Sequence, residues 1–97
     1  MKHIVLFKLK EEIQGKEKED TLRKLKRELE VLREIIPGII SLQVITQAME
    51  VSTHDVALIS EFESKEALDA YQIHPAHVKV VEFVKSVVAG RACFDYM

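Results

Sequence analysis

Leu22, Leu25, Leu29, Leu32 and Ile36 recur at intervals of three and four, the spacing that lines side chains along one stripe of an α-helix. Charged residues fill most of the positions between them. No other feature constrains the fold as strongly, because a helix that is apolar along one side must lie against a flat apolar surface. Glu17, Glu19 and Asp20 stand near its start, where the helix dipole favours negative charge, and Pro37-Gly38 ends it. Residues 20–36 would span about 25 Å, comparable to a strand of about eight residues at ~3.3 Å each, so one such helix can cover a small sheet. The stripe lasts little more than two heptads, which favours a core-facing helix over a coiled coil.

Strands flank this helix. In residues 3–9 one alternating set is His3, Val5, Phe7 and Leu9 and the other Ile4, Leu6 and Lys8; both are mainly apolar, so the strand expects cover on both faces. Residues 39–46 and 56–62 are rich in Ile, Leu and Val and are separated by a polar loop around Ser52-Thr53-His54-Asp55. Ser64 is placed to cap a short helix over residues 65–71. Pro75 starts another, with His74 as its cap, over residues 76–89 up to Gly90. Residues 92–96 close the chain as a strand. The order is β-α-β-β-α-β with a broken second helix, an α+β domain of ferredoxin-like type.

Residues 1–97 are enough for this one domain and no more. The helices would occupy one face of the sheet, leaving Ile4 and Leu6 on the other. A homodimer packed sheet on sheet supplies the missing cover.

A hydrophobic content of 47% with 31% charged residues is that of a folded domain. Its formal charge of −2 provides no domain-wide field for a polyanion, so nucleic acid is not an expected partner. The first residues have too short an apolar run for a signal peptide or membrane span. The single cysteine, Cys93, excludes an internal disulfide, and a cytoplasmic location is the default expectation.

Tyr71-Gln-Ile-His74-Pro75-Ala76-His77 is the most informative segment. With Phe62-Glu63-Ser64 before it, Phe83-Val84-Lys85 after it, His3-Ile-Val-Leu-Phe-Lys8 at the start, Ile36-Pro37-Gly38-Ile39 in the middle and Phe94-Asp95-Tyr96 at the end, the chain resembles the stress-responsive dimeric α/β-barrel (Dabb) family over nearly its whole length. The resemblance implies a ferredoxin-like fold whose two sheets close a barrel in the dimer. It does not imply one activity, since fold is a weak functional warrant. Some plant members are polyketide cyclases, and their tyrosine, catalytic histidine and N-terminal histidine correspond by motif to Tyr71, His77 and His3. Ile45 stands where the family pattern often has glycine, and its bulk would narrow a pocket.

The residues themselves support an interior site. His77 keeps helical register with Val81, Val84 and Val88, so its ring should point toward the sheet. His3 is in phase with Val5 and Phe7. If that phase faces the helices, His3, Tyr71 and His77 share one space, walled by Val5, Phe7, Val81 and Val84. An imidazole can take a proton near neutrality and a phenol can hydrogen-bond a developing enolate, which suits proton abstraction beside a carbonyl. A histidine among valines is also a common core residue, and a tyrosine at a helix end commonly just packs. His74 and His77 with His3 or His54 could supply three nitrogens to zinc, but capping already accounts for His74 and no acidic residue supports the pair, so neither a metal nor a cofactor is expected. Cys93 is expected as a small apolar filler. The leading expectation is a homodimeric domain that binds a small, partly apolar molecule between sheet and helices. The alternatives are a cofactor-independent cyclase or lyase with His77 as base, Tyr71 as donor and His3 orienting the substrate, and a purely structural protein.

Overall fold

The computed structural model describes residues 1–97. Four antiparallel strands, β1 (Lys2–Leu9), β2 (Ile39–Ile45), β3 (Val56–Phe62) and β4 (Val88–Tyr96), form one sheet in the order β2-β3-β1-β4. Helices α1 (Gly15–Glu30), α2 (Leu32–Ile35), α3 (Lys65–Ile73) and α4 (Pro75–Val87) connect them. No helix is long and apolar enough to cross a membrane.

Strand phase decides which residues meet the helices. Val5, Phe7 and Leu9 of β1 are buried with Leu42 and Val44 of β2 and Val56, Leu58 and Phe62 of β3, against Leu25, Leu29, Leu32 and Ile36. Ile4, Leu6 and Lys8 face the other way. Directly paired antiparallel residues share a face, so Ile59 and Ala57 of β3 and Phe94 and Ala92 of β4 join Ile4 and Leu6 there.

The leucine stripe belongs to two helices rather than one. α1 begins at Gly15, five residues before the acidic start expected from sequence, and the chain breaks at Val31 before the single turn of α2. The extra N-terminal turns are held by Lys18, whose ammonium donates to Asp55 at 3.2 Å, while Asp55 also accepts from the Leu9 amide at 2.8 Å. Gly38, with φ of +89°, turns the chain into β2, and a Cβ there would stand 2.8 Å from that of Ala67 on α3.

Ser64 caps α3 by accepting from the Ala67 amide, and His74 caps α4 by accepting from the Ala76 amide at 3.1 Å. α4 stops at Val87, not at Gly90. Val88, Gly90 and Arg91 pair with β1 instead, and a register shift at Lys8/Leu9 leaves Ala89 between them without a partner on that strand. Val88 therefore leaves the helical stripe in which His77, Val81 and Val84 were placed. Cys93 is exposed, not a core filler. The small side chain lies on the edge strand, beyond the cover of the helices.

Candidate functional site

On β1, the helix-facing phase buries His3, which is 4% exposed. Asp95 sits across from it on β4, with a carboxylate oxygen 2.5 Å from His3 Nδ1. A carboxylate accepts, so the neutral ring carries its proton on Nδ1 and Nε2 is the basic nitrogen. Cys93, two residues back on the same face, points its thiol at Asp95 at 3.6 Å. Burial pushes the Cys93 thiol up, and the charge of Asp95 adds to that; the group is a weak nucleophile.

His3, Cys93 and Asp95 bring their donor atoms within 4.8 Å of one another, the grouping best placed to hold a metal. Two ligands at ~2.0 Å from a tetrahedral zinc would lie about 3.3 Å apart. The His3–Asp95 separation is shorter, as a shared proton requires. The other histidines considered as zinc partners are engaged elsewhere, His74 in capping and His54 with Thr53 Oγ1 at 2.8 Å in the β2–β3 loop.

Tyr71 near the end of α3 is 2% exposed, with its ring 5.0 Å from Phe62 and 4.3 Å from His77. Its hydroxyl makes no hydrogen bond within the protein, yet no fully buried polar atom lacks a partner, so this oxygen opens onto the adjoining cavity. Burial pushes its pKa up to about 12. At neutral pH the phenol keeps its proton and acts as a donor.

His77, in the first turn of α4, has Nδ1 3.1 Å from the Gln72 carbonyl oxygen. A carbonyl only accepts, so here too Nδ1 holds the proton and Nε2 carries the lone pair. Burial draws the His77 pKa below the usual histidine value; the Gln72 bond opposes this, and the positive fields of His3, Arg91 and His74 reinforce it. The ring is neutral at pH 7, the form a general base requires.

These side chains converge on a cavity of about 740 Å³ between α4 and the β1–β4 side of the sheet. His3, Val5, Phe7, Tyr71, His77, Val81 and Val84 all line it. So does Val88, placed by sequence on the same stripe as His77, and so do Gln72, Lys85 and Arg91, which the sequence reading did not place at the site. Ile45 does not: it lies on the other face of the sheet, 38% exposed, beside a separate groove at the β2–β3 loop. Its bulk therefore leaves the cavity unaltered.

A β2-β3-β1-β4 antiparallel sheet with its helices on one face defines a ferredoxin-like α+β domain. The chain belongs to the stress responsive A/B barrel domain family, whose model matches residues 1–97. A dimeric protein of unknown function from Bacteroides fragilis NCTC 9343 is 34% identical, with 98% of this chain and 92% of that chain covered at a TM-score of 0.90. A Dabb family protein of Mesorhizobium loti MAFF303099 is 24% identical, with 99% and 93% covered at a TM-score of 0.76. The hydroxynitrile lyase of Passiflora edulis shares the fold, at 16% identity, 98% and 89% coverage and a TM-score of 0.74. No curated protein matches the chain.

Proposed function

We propose that this protein is a homodimeric domain that binds a small, partly apolar molecule in the cavity between α4 and the sheet. The cavity itself carries the reading. Ten of its sixteen lining residues are hydrophobic, enough to desolvate an apolar body, while the Tyr71 hydroxyl and the basic nitrogens of His77 and His3 supply the few polar contacts that orient a ligand. A calorimetric screen of small aromatic and aliphatic carbonyl compounds should find ligands whose binding is lost in Val81→Phe, which fills the space. Ligands that bind the filled variant equally well would refute this placement.

The proposed second copy covers the outer face of the sheet, where Ile59 is 41% and Phe94 68% exposed around Ile4 and Leu6. The Bacteroides relative is described as dimeric, which supports the same assembly. Light scattering at micromolar concentration should give twice the chain mass, and Leu6→Lys should lower it, since an unpaired charge in an apolar interface costs several kcal/mol. A wild-type monomer would remove this part of the reading.

The hydrogen bond from His77 Nδ1 to Gln72 favours a second reading, a cofactor-independent cyclase or lyase. It leaves Nε2 of a neutral ring as a base beside a phenol that holds its proton. In that reading His77 removes a proton from the carbon beside a carbonyl, Tyr71 donates a hydrogen bond to the resulting enolate oxygen, and His3, held by Asp95, orients the substrate. His77→Gln should then reduce turnover of an active compound by ~10² or more while binding survives, and Tyr71→Phe should cost about 1 to 3 kcal/mol in the transition state. Ligands found without any His77-dependent reaction would leave binding alone.

A further inference from the structure

Lys85 and Arg91 are the only Lys, Arg, Asp or Glu residues lining the cavity. Lys85 comes from α4 and Arg91 from β4, so a cation belongs to each of the two elements that frame the opening. Arg91 pairs with Phe7 across the sheet, and Phe7 is buried on the helix-facing side. Paired antiparallel residues share a face, so the guanidinium stem rises on the cavity side.

The charge on Arg91 has no partner within the protein. The ion pairs of the chain involve neither it nor Lys85. Asp95 is the acid on the same face of β4, two rungs further along, and it is committed to His3 at 2.5 Å. The field of Arg91 reaches inward and helps keep His77 neutral. An apolar cavity that ends in a fork of unpaired donors suits a molecule with an apolar body and a planar anionic end.

We infer that the ligand of this cavity is an apolar carboxylate, its body among Val5, Phe7, Val81 and Val84 and its carboxylate on Arg91, with Lys85 reinforcing the field. This rests on the binding reading above and adds the chemical class of the ligand. The carboxylate replaces water on the guanidinium with charge-assisted hydrogen bonds, while the neutral amide of the same shape gains the apolar contacts alone.

Isothermal titration of the full chain at low ionic strength with 4-butylbenzoate and 4-butylbenzamide separates the two contributions. The wild type should bind the carboxylate at least ~10-fold more tightly than the amide. That ratio should fall to about two in Arg91→Gln, and a Lys79→Gln control, which removes the same charge from an exposed position outside the cavity, should keep the wild-type ratio. Circular dichroism would check that each variant is folded. Equal affinity for the two compounds, or a ratio that survives in the double variant Arg91→Gln/Lys85→Gln, would overturn the inference and leave the cavity reading standing. Failure of both compounds to bind the wild type would sink the cavity reading and this inference with it.

Discussion

The two halves of the space between sheet and helices are filled differently. Beneath α1 and α2, Leu25, Leu32 and Val44 are 0%, 1% and 0% exposed, and the leucine side chains reach the sheet and close it. Beneath α4 the inward residues are valines, with Val80 and Val84 each 8% exposed, and the cavity of about 740 Å³ remains. Valine is one carbon shorter than leucine. β4 adds to the difference, since every residue from Arg91 onward is exposed. One half supplies the packing that stabilises the fold, and the other leaves a cavity open.

If this contrast is right, truncating side chains in the two halves should not cost the same. Leu25→Ala removes a fully enclosed side chain and should destabilise by about 2–5 kcal/mol, transfer and cavity terms together. Val84→Ala removes two methyl groups beside space that is already empty. Its cost should stay near the transfer term alone, roughly 1.6 kcal/mol at ~0.8 per group. Urea unfolding of both variants gives the comparison, and equal losses would mean that the α4 half is packed as tightly as the other.

The same division was partly legible in the sequence. Period-two alternation sorted β1 into two sets, but with both mainly apolar it left conditional whether the His3, Val5 and Phe7 set meets the helices, which the structure shows. Helical spacing placed His77 with Val81 and Val84. The end of α4 was not legible: Val88, Ala89 and Gly90 continue an apolar run that suits a helix and its stop, and only the pairing of β4 with β1 makes them a strand. Asp95 and Arg91 depend on that pairing. Alternation shows that Arg91, Cys93 and Asp95 share one face, but not that this face looks inward at His3 and Phe7. The earlier start of α1 likewise goes with a tertiary contact, Asp55 holding Lys18, and the break at Val31 leaves no mark in the leucine spacing, which runs straight through it.

The two regions should also separate by pH. His77, on the cavity side, has a folded pKa below its ordinary 6.5, chiefly through burial. The unfolded chain therefore takes up a proton first, and stability should fall as pH drops below about 6.5 toward the folded value. Asp55 behaves differently. Burial pushes its pKa up, but the Leu9 amide and Lys18 outweigh that and hold it below 3.8. Its contribution is complete above 3.8 and is lost only as pH falls through the lower folded value. Glu30 adds to the acid range, since burial raises its pKa but Lys26 and the Val44 amide hold it below 4.5. Unfolding free energies measured from pH 8 downward should therefore show an upper step that His77→Gln removes and an acid step that Asp55→Asn reduces. An upper step that persists in His77→Gln would assign it to another group.

The smallest effect is expected at the boundary between the two helices that wall the cavity. His74 has extended backbone angles, φ −63° and ψ 134°, and its ring nitrogen accepts from the Ala76 amide. Asparagine offers an oxygen for the same bond, ranks among the best N-caps, and tolerates the extended conformation that a following proline demands. The ring is only half-buried, so little packing depends on it. His74→Asn should therefore change the unfolding free energy by no more than about 0.5 kcal/mol, whereas His74→Ala, with no acceptor, should cost about 1. The pair of variants separates a cap from a site residue. If asparagine costs several kcal/mol, or removes binding of a cavity ligand that His74→Ala retains, the residue does more than end one helix and begin the next.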